Sequence, residues 1–159
     1  YTQADFDAFA AVPSSMLLEL THAVDVASQT ITVTYSMTAL GDFSSTDLRL
    51  HIGIIEGTTY KNVGSNGQTE FHNVLKKMVP THEGTPVGPF TRGDTLTGDV
   101  SWTFQGSYTS ETGYGDPVDH AVEHTVEEFE DLSAVAFIQD NTTWAVHQSA
   151  MSGGTNDSE

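Results

Sequence analysis

The sequence predicts an all-β fold: an antiparallel β-sandwich of immunoglobulin or jelly-roll type with one short helical insertion. Three observations predict it. The chain has 159 residues, the size of one domain that can bury a complete core. Apolar and hydroxylated side chains alternate through short runs, the period of strands with one buried face. Turn residues separate six or seven such runs, the pattern of a sandwich built from hairpins.

Residues 1–13, YTQADFDAFAAVP, read as an N-terminal arm or linker, with Phe6 and Phe9 set among alanines in what could be a short helical turn. Pro13-Ser14-Ser15 breaks the chain. The sandwich domain spans 14–150 and a polar tail spans 151–159. Residues 16–26 form the first strand, with an interruption near Thr21-His22. In residues 30–38, Ile31, Val33, Tyr35 and Met37 alternate with Thr32, Thr34, Ser36 and Thr38, a half-exposed strand. In residues 47–56 the inward set is Leu48, Leu50, Ile52 and Ile54, with Arg49, His51 and Gly53 between them.

Ser65-Asn66-Gly67 marks a tight turn. Residues 70–78, EFHNVLKKM, are the helical candidate. Phe71, Val74, Leu75 and Met78 fall at i, i+3, i+4 and i+7, one apolar face, and Pro80 ends it. Lys76 and Lys77 would face away from that stripe as a small positive spot, suited to self-association with an acidic edge. A Gly/Pro loop follows over 81–89. A long strand covers 94–108, centred on Val100, Trp102 and Phe104. Residues 109–119 are a loop, and 120–131 stay open between loop and helix. Residues 132–140 are a strand, Asn141-Thr142 a turn, and 143–150 the returning arm of a hairpin.

Two segments carry a resemblance. Ile55-Glu56, Tyr60, the Asn66-Gly67 turn and the run Phe71 to Pro80 come first; Val135-Ala136-Phe137-Ile138-Gln139-Asp140 with its closing strand comes second. Together they resemble the C-terminal β-domain of the 28-kilodalton outer-membrane-protein-related family of Bacteroidetes-type surface and secreted proteins. The resemblance implies a β-domain at the outer-membrane surface of a Gram-negative bacterium or outside the cell. Family members often carry a thioredoxin-like domain ahead of it. This chain has no cysteine, so thiol redox chemistry does not carry over.

Charge narrows the function. Five Lys and Arg against 22 Asp and Glu give a net charge of −17. A nucleic-acid binder needs cations to displace counterions, and anionic lipid demands the same, so neither is an expected partner. The absence of cysteine excludes thiolate metal sites and cysteine nucleophiles. No apolar run is long enough to cross a membrane as a helix.

Candidate sites are few. His120 and His124 have i, i+4 spacing, which on a helix would set two imidazoles on one face. Asp116 and Asp119 could supply loop oxygens, and calcium is the cofactor such acids would admit. Tyr108, Tyr114 and Trp144 are candidates for a surface aromatic platform. No nucleophile elbow or phosphate loop is present. The expectation is a non-catalytic extracellular or cell-surface module that binds protein or glycan. A subunit of a larger surface assembly, joined edge to edge, and a calcium-dependent accessory domain of a secreted enzyme are the alternatives.

Overall fold

The computed structural model describes residues 2–110 and 117–153. The architecture is the sandwich that the alternation predicts. A short helix, α1 (Gln3–Ala10), leads into β1 (Met16–Asp25), β2 (Thr30–Ala39), β3 (Leu48–Thr59), β4 (Phe71–Val79), β5 (Thr85–Val87) and β6 (Thr95–Thr103). Two short pieces follow, β7 (Ser107–Tyr108) and β8 (Glu123–His124), and then β9 (Leu132–Asp140) and β10 (Val146–Met151).

One sheet has the order β1-β2-β6 and the other β10-β9-β3-β4, all antiparallel. β5 pairs with the start of β3, Leu48 opposite Val87, on the edge where β4 pairs with its later half, Ile52 opposite Val79. The apolar core lies between the sheets. Met16, Leu18, Ile31, Val33 and Met37 enter from the three-stranded sheet. Leu48, Leu50, Ile52, Ile54, Leu132 and Ile138 enter from the five-stranded one. Each is the inward member of a period-two run, so burying it costs the strand no outward polar position.

The β1 and β10 edges are joined by polar contacts. Gln148 Nε2 donates to the Met16 carbonyl at 3.1 Å. His22 Nδ1 lies 2.8 Å from Ser152 Oγ, and Ser152 Oγ in turn accepts the Ala134 N–H at 2.8 Å.

Residues 70–78 are not a helix but strand β4, which corrects the sequence expectation and removes the helical insertion. The cause is a β-bulge. Lys77 pairs with Ile54 and Leu75 with Ile55, so Lys76 is one residue too many for the ladder. An extra residue resets the alternation. Leu75 and Met78 therefore share the outer face although they are three apart: a Cβ on Gly53 would meet Leu75 Cδ1 at 2.9 Å and Met78 Sδ at 3.5 Å. A bulged strand thus reproduces the i, i+3 spacing of a helix. The exposed cationic spot falls with the helix, because Lys76 is buried and Lys77 lies over the Trp102 ring at 4.7 Å.

Other boundaries move as well, and the closing strand begins at Val146, which leaves Trp144 in the turn before it. The strand expected over 94–108 stops at Thr103, and the chain turns through Gly106 (φ 70°) into β7. Residues 120–131 hold β8 and a 3-10 turn at Phe129–Asp131.

Candidate binding site

The outer face of the five-stranded sheet carries an open cavity of about 590 Å3. Strand alternation builds its floor. With Leu48, Leu50 and Ile52 turned inward, Arg49 and His51 must point outward. With Ala136, Ile138 and Asp140 inward, so must Phe137 and Gln139. The β3/β9 register sets Arg49 opposite Gln139 and His51 opposite Phe137. Met78 of β4 closes one side, and His82 and Glu83, from the turn after it, form a rim.

His51 is held firmly. Its ring stacks on Phe137 at 4.8 Å with 9° between the planes. Gly84 covers it from above: a Cβ there would stand 2.8 Å from the imidazole, and its φ is 73°, so the position suits glycine twice over. Only 7% of His51 is exposed, and its Nε2 has no hydrogen-bond partner. Burial lowers the imidazole's pKa and the Arg49 charge adds to this, against a hydrogen bond to the His82 backbone. The ring is therefore neutral near pH 7. Arg49 is tied through Nε to Asp47 at 2.8 Å.

The β9–β10 turn supplies the opposite rim, Asn141 and Trp144. Asp140 organises this turn. Its Oδ1 accepts the N–H groups of Thr142 (2.7 Å) and Thr143 (3.2 Å), and its carbonyl accepts the Trp144 N–H at 2.7 Å. Burial works against the Asp140 charge, but the Thr142 N–H, the Ser45 hydroxyl, the Thr143 N–H and nearby His147 together outweigh it and hold the pKa below its ordinary value. Gln139 Nε2 donates to the Trp144 carbonyl at 3.2 Å. Trp144 sits at φ 63°, uncommon for a bulky side chain, and is 71% exposed. Of the candidate site residues that the structure describes, it is the one that lines this cavity.

The others lie elsewhere. Tyr108 lies on β7 with Lys61 Nζ 4.0 Å over its ring. Burial, with Glu127 and Glu56 nearby, raises its phenol pKa. Tyr114 and Asp116 fall outside the described residues. Asp119 opens a turn whose Ala121 N–H it caps at 3.1 Å. His120 and His124 share no helix face: a turn precedes β8, the His120 ring meets Trp102 at 6.2 Å, and the His124 ring sits 6.1 Å from Phe104 and 5.2 Å from Phe129. Burial lowers both imidazole pKa values. Among the described residues no three His, Asp or Glu side chains stand close enough to hold a metal ion.

A buried charge network escaped the sequence reading. Glu56 is fully buried and pairs with Lys76 Nζ at 2.9 Å. It also accepts the N–H groups of Glu127 (2.9 Å) and Glu128 (2.6 Å), while Lys76 donates to the Thr125 carbonyl at 2.7 Å. Glu127 in turn accepts the Tyr60 and Lys61 N–H groups, each at 2.9 Å. The signal was present: two residues beyond Ile54, the inward period lands on Glu56. A charge at an inward position needs a partner.

No protein-family model matches the sequence, and no curated sequence is similar enough to count as a relative. One solved structure matches over most of its length. It is a domain of the outer membrane lipoprotein Omp28 from Porphyromonas gingivalis, with a TM-score of 0.52 and 16% identity over 89% of each chain. The two share a fold. At that identity the likeness is one of backbone, so the chemistry of the cavity rests on its own side chains.

Proposed function

We propose that this chain is a non-catalytic cell-surface module that works by binding, and that it binds through the cavity on the outer face of the five-stranded sheet. The observation that carries this is Trp144: a large apolar ring, 71% exposed, on a turn braced by Asp140 and Gln139, beside a buried imidazole nitrogen without a partner. Exposed aromatic groups beside convergent polar groups in a preformed concavity are the usual composition of a ligand site. The fold shared with an outer membrane lipoprotein domain supports a surface location, as does a charge of −17, which favours solubility in an exposed setting.

The test is array binding, with glycans and peptides displayed in parallel. Trp144→Gly suits the left-handed backbone at that turn and should abolish retention of whatever the wild type binds. Thr34→Ala, on the outer face of the three-stranded sheet, should leave retention unchanged. Equal retention by wild type and Trp144→Gly would overturn the assignment of this face.

A further inference from the structure

The cavity's charge and donor set point to a ligand class. We infer that it takes a neutral saccharide; this rests on the binding role proposed above and names the ligand of the same site.

Arg49 is the one formal cation among the cavity's lining residues, and Asp47 neutralises it at 2.8 Å. Glu83 on the rim adds a negative charge. His51 is neutral near pH 7, and the chain around the site carries −17. An anionic ligand would enter against that field with no net positive charge to receive it.

Phe137 and Trp144 share the lining with Arg49, His51, Gln139 and Asn141, so an apolar ligand would leave many polar groups dry and unpaired. A ligand is needed that has apolar faces and many hydroxyls around its edge. A pyranose ring has both. Its C–H face stacks on an indole, and its hydroxyls both donate and accept, which suits planar amide, guanidinium, carboxylate and imidazole side chains.

His51 Nε2 is buried without a partner, and a buried polar atom left unpaired costs free energy until something bonds to it. His51 lines the cavity, and its ring is fixed by Phe137 and Gly84. A sugar hydroxyl can supply that bond with either tautomer of the imidazole. The cavity of about 590 Å3 lies within the span usual for small ligands, about 300–1,000 Å3.

The experiment is isothermal titration of the whole chain with neutral hexasaccharides (cello-, manno-, galacto- and malto-series), with hexagalacturonate as the acidic control. At least one neutral series should bind, and the uronate at least about tenfold more weakly. Raising NaCl from about 0.05 to about 0.5 M should change the neutral affinity less than about twofold. His51→Phe keeps the stack on Phe137 and removes Nε2, so it should weaken binding about tenfold, the worth of one buried hydrogen bond. Its circular-dichroism spectrum and melting curve, matched to wild type, exclude misfolding. Tighter binding of the uronate would overturn the inference, as would an unchanged affinity in His51→Phe. So would failure of every neutral series. If that failure came with Trp144-dependent peptide binding on the array, the saccharide class would fall while the binding face stood.

Discussion

The outer faces of the two sheets follow the same strand alternation and arrive at opposite chemistry. On the three-stranded sheet, β2 turns Thr30, Thr32, Thr34, Ser36 and Thr38 outward, and the register sets Thr103, Ser101, Asp99, Thr97 and Thr95 beside them. Two of these pairs bond to each other: Thr30 Oγ1 lies 2.8 Å from Thr103 Oγ1, and Thr32 Oγ1 lies 2.8 Å from Ser101 Oγ. On the five-stranded sheet, Arg49, His51, Phe137 and Gln139 point outward beside one another, and His51 Nε2 has no partner. A face whose short polar groups pair internally needs only water. A face of long planar groups with a buried orphan beside an exposed indole has bonding capacity left for something else.

The inner faces differ as well, and the largest effect is expected there. The three-stranded sheet turns Ile31, Val33 and Met37 inward, whereas β3 ends its inward set on Glu56. Glu56→Leu would leave the Lys76 ammonium buried with the Thr125 carbonyl as its remaining partner, and would strand the Glu127 and Glu128 N–H groups. Breaking a buried pair by removing one partner costs about 3–5 kcal/mol. Urea denaturation should read a loss of that order, with Lys76→Met close behind. A loss below about 1 kcal/mol, the scale of an exposed pair, would mean that the two sheets do not differ in this way.

These regions also mark how far the sequence could be read. β9 was legible to the residue, because its nearly continuous apolar run, Ala134 to Ile138, is short and is followed by the Asn141-Thr142 turn. β4 was not, because one inserted residue at Lys76 turned a period of two into an apparent period near 3.6. Of the cavity, the outward placement of Arg49 and His51 was legible from β3 alone, and Trp144 could be named as an exposed aromatic. Their convergence was not, because it depends on the pairing of β3 with β9 and on residues 80–84 folding back over His51. Alternation tells which face a side chain takes, but not which distant strand lies beside it.

A smaller effect is expected where the two sheets meet. His124 packs between Phe104, just beyond β6, and Phe129, just before β9. Burial lowers its imidazole pKa, opposed by the Val126 backbone and Glu56 and assisted by Lys76 and Lys61. The unfolded chain takes up a proton at this histidine as pH falls through about 6.5, while the folded ring stays neutral to lower pH. Its contribution is therefore intact above that pH and is lost as pH falls from about 7 to about 5. His124→Phe removes the titration and keeps the aromatic packing. Its melting temperature should fall less between those two pH values than that of the wild type. Identical slopes would show that this histidine does not couple the sheets to pH. The three-stranded sheet's own histidine, His22 on β1, is placed differently, with its Nδ1 2.8 Å from Ser152 Oγ.

The smallest effect tests the hydroxylated face itself. Thr32→Val keeps the β-branch that suits a strand and deletes the hydroxyl that bonds to Ser101. A cross-strand Thr–Ser pair is worth about 0.2–1 kcal/mol, and Ser101 is exposed, so water can replace the lost partner. Chemical denaturation should register a change within about 0.5 kcal/mol, and saccharide affinity should be unaltered. A loss well above 1 kcal/mol would make the hydroxyl ladder a cooperative network that holds the sheet together. A loss of ligand affinity would move the binding face to this side of the sandwich. If neither occurs, the ladder is a solvated wall, and the binding face stays with His51 and Trp144.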